Sequence, residues 1–503
     1  MNREKLYIYA SAILLAVTFN NLESLTWISI IPFIMSVNKL KCSSREGYKF
    51  GFKYFMVFYI VVFSWILELY PLDWMGINNI VSFIMIGLAW ITLAAIEAAI
   101  MAFLVPIYMK VKSNNIVINV ISFAFIWIGF EWIQSIGQFG MPWARLAISQ
   151  SYNTYAIQSA AVFGGLFISF LIVLVNGFLA MYALEKRNKN YIYIAVSIFV
   201  INLAFGVISL KEEKIIADID ISLIQGNIAS TEKWKNGTTK QQVQKYIDLT
   251  KKFIEEDDFK PEIIIWPETA VTTDLGTNDF AYEQILQLSK EYDAYMMIGA
   301  FSSDDIEDNE VTYNSIYTID PMGELQKPYS KRHLVPFGEY VPFTKLISKI
   351  SPDIANQLSN LTPGDDVYLQ KTKYGDVGGI ICFESIFPGI VRDTVNDGAE
   401  LIVLVTNDSW FKDSSAVYQH HKQGILRAVE NNRYVVRAAN TGISSLIDNK
   451  GRVVEDIPLL EEGVINSSVA MISERSIYSA VGDIIILLGF VWTLVIYILN
   501  KKK

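Results

Sequence analysis

Long runs of apolar side chains, broken by short basic clusters, fill the first two fifths of the chain, and one more such run lies near its end. A helix needs about 20 mostly apolar residues to cross the hydrocarbon of a bilayer. By that measure the pattern predicts spans at roughly 6–22, 24–37, 51–69, 80–108, 115–136, 155–184, 191–209 and 479–499. The second is short and reads as the returning arm of a helical hairpin with the first, whereas the fourth and sixth are long enough to tilt. Between 211 and 475 the pattern changes. Short apolar runs at 220–225, 262–266 (closed by Pro267) and 295–300, and near 312–319, 378–382, 401–405 and 443–447, alternate with helical stretches near 239–256, 280–291 and 415–432. Strands that are apolar almost throughout belong to a sheet covered on both faces, so this stretch predicts a layered α/β domain. The expected organisation is a helical membrane domain at 1–210, an α/β domain at 211–475 and a last membrane helix at 479–499.

Composition agrees with that division. The 503 residues exceed what one core accommodates, and 52% hydrophobic against 18% charged residues is too apolar for an ordinary soluble protein. Residues 211–475 hold 26 Lys and Arg against 42 Asp and Glu, a net of −16, while the remainder carries 16 against 9. So acidic a domain repels phosphate backbones, and nucleic acid is excluded as a partner. The cations also orient the chain. Arg3 and Lys5, then Lys39, Lys41, Arg45, Lys49 and Lys53, then Lys110 and Lys112, then Lys186, Arg187 and Lys189, and finally Lys501 to Lys503 flank alternate spans. Segment 70–79 has none and 137–154 has only Arg145. Because cytoplasmic loops collect Lys and Arg, eight spans with both ends in the cytoplasm place 211–475 on the outer side. Cys42 and Cys382 then lie on opposite sides, which rules out a disulfide framework. Residues 1–22 do not read as a signal peptide, since Asn20, Asn21 and Glu23 offer no small-residue cleavage site.

Two acids inside apolar runs, Glu97 and Glu131, need either a structural hydrogen bond or a place on a substrate path. The loop 138–145, with Trp143 and Arg145, reads as an interfacial aromatic belt with a snorkelling Arg, the alternative being a rim that contacts a lipid phosphate.

The run 377–385 ends in Cys382-Phe383-Glu384-Ser385. A lone Cys in such a run is either a small buried hydrophobe or a nucleophile presented at a strand end. A nucleophilic thiol requires a base and a cation, and Glu268 and Lys331 occupy equivalent positions just past or between strands. A buried Glu can take the proton and a Lys can hold an oxyanion, which suffices for acyl transfer through a thioester. His333, His420 and His421 are competing partners for Cys382. The last two are neighbours on a helix and point different ways. Their spacing with the carboxylates makes no regular ligand set, so neither metal nor cofactor is expected.

Gln225-Gly226-Asn227 with Trp234, Trp266-Pro267-Glu268-Thr269, Lys331 through Pro342, Cys382 through Ser385, and Thr406 through Phe411 follow one another in this order, after a Gly140-Met141-Pro142-Trp143 loop. Over essentially its full length the chain thereby resembles the nitrilase (carbon–nitrogen hydrolase) superfamily and, more closely, its integral membrane branch, the apolipoprotein N-acyltransferase family. The resemblance implies a nitrilase-like α-β-β-α sandwich outside the bacterial cytoplasmic membrane. It implies Glu268 as general base, Lys331 as oxyanion stabiliser and Cys382 as the acyl-thioester residue. Glu339 and Glu384 match further acidic positions of the site, Trp234 an aromatic near the substrate entrance, and Trp143 and Phe383 are further candidates for substrate contact. Phe383 stands where the familiar members carry Tyr, so no hydroxyl acts there. The implied ping-pong reaction takes an acyl chain from a phospholipid to the α-amino group of an S-diacylglyceryl cysteine at a lipoprotein's N-terminus. Residues 337–361 read either as an amphipathic lid or as a helix packed on the domain. Arg427, Glu430, Arg433 and Arg437 recur at helical spacing, as ion pairs do. Other readings stay open: a membrane-tethered amidase or nitrile hydrolase in which water resolves the thioester, a non-catalytic lipoprotein-binding scaffold, and a transporter coupled through Glu97 and Glu131. The last leaves the acidic domain without a task.

Overall fold

The structure is a computed structural model and describes all residues except 1, 2, 21, 73–75, 186, 187, 212–214, 236, 307, 308, 343–360 and 503. It forms two units. The first takes residues 1–73, 77–212 and 476–503. Six of its helical stretches are long and apolar enough to cross a membrane: Ser44–Leu69, Asn79–Val111, Ile116–Ile133, Gly165–Leu184, Asn190–Ser209 and Ile484–Lys501. The first two expected spans are shorter in the fold, as Arg3–Val17 and as the broken pair Thr26–Ser29 and Ile31–Lys39. Ser44–Leu69 starts earlier than its apolar run because Ser43 and Glu46 form a capping box: the Ser43 amide donates to Glu46 Oε2 at 2.9 Å and Ser43 Oγ accepts from the Glu46 amide. The expected run at 155–184 is interrupted at Gly164, whose φ of +76° suits glycine and whose missing side chain leaves room for the Tyr478 ring.

Both acids in the apolar helices have protein partners. Glu97 accepts from Gln134 Nε2, which also donates to Tyr59 Oη at 2.6 Å. Glu131 Oε1 accepts from Trp127 Nε1 at 2.9 Å and from the Leu146 amide at 3.0 Å. These are the contacts of a structural role. The loop after Ile116–Ile133 winds through the 3-10 turns Pro142–Ala144 and Leu146–Gln150, both of them buried. Arg145 does not snorkel: it is only 5% exposed.

The second unit is built on residues 213–475. Its strands are β1 (Ile219–Gln225), β2 (Ile263–Asp274), β3 (Tyr295–Ile306), β4 (Asn309–Ile319), β5 (Tyr329–Ser330), β6 (Leu369–Thr372), β7 (Gly375–Ile381), β8 (Leu401–Thr406), β9 (Val435–Ala439), β10 (Ser444–Ile447), β11 (Val453–Ile457) and β12 (Gly463–Val469). Among the described residues they make two six-stranded sheets, ordered β12-β1-β2-β3-β4-β5 and β11-β10-β9-β8-β7-β6. The central strands β1, β2 and β3 run parallel, as do β7, β8 and β9, while antiparallel strands finish the edges. The inward faces supply one core that includes Ile221, Leu223, Ile263, Ile265, Val377, Val403, Val436 and Leu446. A second core, with Tyr246, Ile285 and Leu288, lies between the first sheet and the helices Thr239–Glu256 and Asp279–Tyr292. Helix–sheet–sheet–helix layering buries each central strand on both faces, which is why those strands read as unbroken apolar runs.

Two local features depart from the pattern in the sequence, and a third expectation lies mostly outside the described residues. Strand β2 does not stop at Pro267. Its pairing with β3 runs from Ile263↔Tyr295 to Trp266↔Ile298, lapses, and resumes at Val271↔Ala300. Proline lacks the ladder donor, so the strand bulges around it and continues. The helix Ser415–Asn431 ends at Asn432, so the supposed helical series divides. Arg427 pairs with Glu430 at 2.8 Å, whereas Arg433 donates to the carbonyls of Ala399 and Glu474 and Arg437 sits on β9. The expected lid at 337–361 falls mostly outside the described residues, at 343–360.

Candidate active site

Glu268 sits in the bulge of β2, 6% exposed, with Thr269 behind it at φ +49°. Such a left-handed conformation is strained for a β-branched residue and persists only where its surroundings enforce it. They do so here. The Glu268 carbonyl accepts from the buried Lys233 Nζ at 2.9 Å and from Thr269 Oγ1 at 2.8 Å. On the other side Gly299 of β3 faces the same peptide, and a Cβ there would stand 2.7 Å from Glu268 Cα. Gly299→Ala is therefore expected to push the carboxylate out of place, lowering turnover at least about tenfold and stability by about 1–3 kcal/mol, read by steady-state rate and by thermal unfolding in detergent.

Lys331 follows β5. Its amide donates to the Asn314 carbonyl at 2.8 Å, and its ammonium lies 2.8 Å from Glu339 Oε2, 2.9 Å from Glu339 Oε1 and 3.7 Å from Glu268 Oε1. Asn314, on β4, bridges the two acids, donating from Nδ2 to Glu268 Oε1 at 2.7 Å and to Glu339 Oε1 at 2.9 Å. Glu339 Oε2 also accepts from the Val335 amide at 2.8 Å.

Cys382 is the first residue of the 3-10 turn Cys382–Ile386 at the end of β7, with φ +50°. Glu384 holds that turn. Fully buried, it accepts from the amides of Ile381 at 2.8 Å, Arg332 at 2.7 Å and His333 at 3.3 Å, and from Tyr329 Oη at 2.9 Å. One carboxylate thus ties the turn that carries Cys382 to the loop that carries Lys331.

The charges are arranged as a cation between two acids beside a neutral thiol. Burial pulls the Lys331 ammonium down, but Glu339, Glu268 and Cys382 together outweigh it and hold it above the usual lysine value. Burial, reinforced by the Glu268 charge, pushes the Cys382 thiol well up against the opposing pull of Lys331. Burial also raises Glu384, against its amide donors and Arg332. At neutral pH the site holds a thiol, not a thiolate, and a base must act when the thiol reacts.

Residues 220–477 match the carbon–nitrogen hydrolase family, and residues 11–178 match the N-terminal domain of apolipoprotein N-acyltransferases. An apolipoprotein N-acyltransferase from Geobacter metallireducens is 30% identical over 98% of this chain and 93% of its own length. The chain belongs to the apolipoprotein N-acyltransferase family. A second relative of that name, from Rickettsia bellii, is 30% identical over 94% of both chains. With bacterial relatives and helices of membrane-crossing length, the chain is a bacterial membrane protein. Among solved structures, a branch 10 nitrilase-superfamily member from Saccharomyces cerevisiae is 17% identical with a TM-score of 0.40, covering 53% of this chain and 95% of that one. An amidase from Nesterenkonia sp. AN1 is 14% identical with a TM-score of 0.39, covering 54% and 100%.

In this apolipoprotein N-acyltransferase family member the other sequence candidates are placed unevenly. Trp234 is 38% exposed, next to Lys233, with its ring 6.2 Å from Phe301. Phe383 is buried against Phe387 at 5.4 Å and His333 at 5.9 Å, which leaves it little surface for a substrate. Trp143 belongs to the helical unit and packs on Trp65 at 5.1 Å.

Behind Cys382 lies a network that the spacing of ligands in the sequence did not suggest. Donor atoms of Cys382, Asp408 and His420 fall within 4.8 Å of one another. The set is already engaged. His420 Nδ1 meets Asp408 Oδ1 at 2.8 Å, its Nε2 meets Ser385 Oγ at 3.0 Å and the Cys382 carbonyl at 3.1 Å, and Arg437 Nη2 donates to Asp408 Oδ2 at 2.7 Å. A metal there would have to displace a guanidinium, and the imidazole faces the main chain of Cys382. His421 turns away to Ser445 Oγ at 2.9 Å, as neighbours on a helix must. Burial works against the Asp408 carboxylate, but Arg437 and His420 outweigh it and hold it at about 2. A depressed acid stabilises the fold above its unfolded value and loses that contribution as pH falls through its folded value, here about 2 kcal/mol lost between roughly pH 4 and 2. Asp408→Asn is expected to cost about 3 kcal/mol at neutral pH and to flatten that acid limb, as measured by unfolding temperature against pH.

Proposed function

We propose that this protein transfers an acyl chain from a phospholipid to the α-amino group of the S-diacylglyceryl cysteine of apolipoproteins, through a thioester on Cys382. The observation that supports this reading is the approach of Glu268 from the bulge of β2, Lys331 from just past β5 and Cys382 from just past β7, in a chain similar over nearly its full length to proteins of that name. Cys382 Sγ attacks the ester carbonyl carbon while Glu268 takes the thiol proton, and the oxyanion develops against the Lys331 ammonium. The C–O bond then breaks, and Glu268 returns the proton to the departing lysophospholipid oxygen. In the second half the acceptor amine attacks the thioester carbonyl and gives its proton to Glu268. The C–S bond breaks and the thiolate regains the proton. Glu339 keeps Lys331 charged and Asn314 aims Glu268; in this reading Trp234, an exposed aromatic, meets the entering acyl chain.

We place the protein in the bacterial cytoplasmic membrane, with both ends in the cytoplasm and the unit at 213–475 outside; the alternation of basic clusters along the chain supports this. The test is incubation with labelled phospholipid and a diacylglyceryl peptide, with intact-mass analysis of the enzyme. Expected are an acyl adduct on Cys382 that hydroxylamine removes and an acylated peptide. Free fatty acid with no acylated peptide would reassign the protein as a hydrolase.

A further inference from the structure

Beside the Cys382 sulfur lies a hydroxyl to which the transfer chemistry gives no task. Thr406 ends β8, one rung beyond the Ile381↔Val405 pair, so its side chain meets the turn that opens with Cys382. It is wholly buried. Its hydroxyl makes two contacts: it donates to Asp408 Oδ1 at 3.1 Å, and it hydrogen-bonds the Cys382 side chain. The sulfur and the Asp408 carboxylate lie within 4.8 Å of each other, so the hydroxyl bridges a fixed anion and the atom that must become one.

A hydroxyl holds one proton and gives it to one acceptor at a time. Asp408 does not depend on it: Oδ1 also meets His420 Nδ1 at 2.8 Å, and Oδ2 accepts from Arg437 Nη2 at 2.7 Å. The sulfur has no such surplus. Burial, then the Glu268 and Asp408 charges, oppose a thiolate there, while Lys331 and the Thr406 hydroxyl favour it. We propose that Thr406 is a catalytic residue whose hydroxyl turns from Asp408 to the sulfur as the thiol loses its proton. When Glu268 takes the S–H proton, the hydroxyl rotates about its Cβ–Oγ1 bond and donates to the thiolate. Thr406 keeps its own proton throughout, and Asp408 keeps His420 and Arg437. The same donor serves when the C–S bond breaks in the second half, and it turns back as the sulfur regains its proton. The proposal rests on Cys382 as the nucleophile and on nothing about the lipid or the acceptor.

Alkylation by a small haloacetamide reads the thiolate without any lipid. Full-length protein in a non-ionic detergent is alkylated at a series of mildly alkaline pH values, and peptide mass separates Cys382 from Cys42. The charged groups around the sulfur are Glu268 from β2, Lys331 after β5, Asp408 after β8, His420 from the helix Ser415–Asn431 and Arg437 from β9. They are the same in every variant, so only the residue at 406 differs. Thr406→Val, which keeps the shape and loses the donor, is expected to slow alkylation about three- to tenfold, because the thiolate becomes scarcer and regains only part of the loss in nucleophilicity. Thr406→Ser, which keeps the hydroxyl, should stay within about twofold of wild type. Acyl transfer should fall about tenfold in the Val variant and little in the Ser variant. Thr406→Ala makes the same comparison if the Val variant does not fold. Alkylation at the wild-type rate in the variants without a hydroxyl overturns the proposal. So does a Ser variant as slow as the Val variant, which would show that shape matters and the hydroxyl does not. The transfer reading fails separately, if the wild type acylates no peptide while the alkylation series holds.

Discussion

Cys382→Ala should abolish both the acyl adduct and the transfer of label to peptide, lowering turnover by about 10⁴-fold or more, while the unfolding temperature stays within a few degrees of wild type. Size of effect and harmlessness to the fold have the same origin. The sulfur is the atom that would carry the acyl group, and nothing else in the site replaces it. Ser385 is the nearest hydroxyl in sequence, but its Oγ is occupied by the Cys382 carbonyl at 2.9 Å and by His420. The turn, in contrast, is held by Glu384 through main-chain amides that an alanine at 382 leaves in place. Serine at 382 should rescue little, because a hydroxyl is far harder to deprotonate than a thiol by the same carboxylate. Intact-mass analysis and peptide acylation measure both variants, and substantial transfer by Cys382→Ala would remove the thioester from the reaction.

Glu268→Gln should show opposite changes in two reactions. Acyl transfer should fall by about 10²–10⁴-fold, the contribution of a positioned base. Alkylation of Cys382 by a small haloacetamide should become faster at mildly alkaline pH. The sign follows from the field at the sulfur: the Glu268 charge pushes the thiol up, so removing it lets the thiolate form at lower pH, with Lys331 still close by. Glutamine keeps an oxygen for Asn314 Nδ2 at the same place, which limits the change to charge and proton transfer. A variant in which both reactions slow together would indicate a displaced backbone and leave Glu268 without a role as base.

The parts of this fold that were legible in the sequence are those where one physical requirement dominates. Membrane helices and doubly covered central strands must be apolar along their length, and both stood out. Edge strands escaped notice because they are short and half polar: β12 reads Gly-Val-Ile-Asn-Ser-Ser-Val and makes sense only beside β1. Glu268 and Cys382 were visible because each closes or follows an apolar run, whereas Lys331, after the two-residue strand β5, stood out only by the family resemblance of the segment 331–342. Asn314 and Lys233 were not, since an amide on β4 and a lysine before an exposed tryptophan have no signature until the sheet brings them to Glu268. Spacing along the chain gave no sign that Cys382, Asp408 and His420 converge from a turn, a loop and a helix, where His420 and Arg437 engage Asp408. Arg145 misled for a related reason: hydropathy places a cation near an interface and cannot tell whether the loop folds inward.

The antiparallel pairing of β1 with β12, from Ile219↔Val469 to Gln225↔Gly463, has a consequence for the order of assembly. The first strand of this unit to be synthesised lies beside the last, so one flank of β1 stays open while more than two hundred intervening residues are made. The nascent sheet therefore carries an unpaired edge, a known route to aggregation, until the ribosome has released β12. Closure of that edge comes just before the final helix, Ile484–Lys501, is made, so a chain that stalls between the two already holds every strand of both sheets.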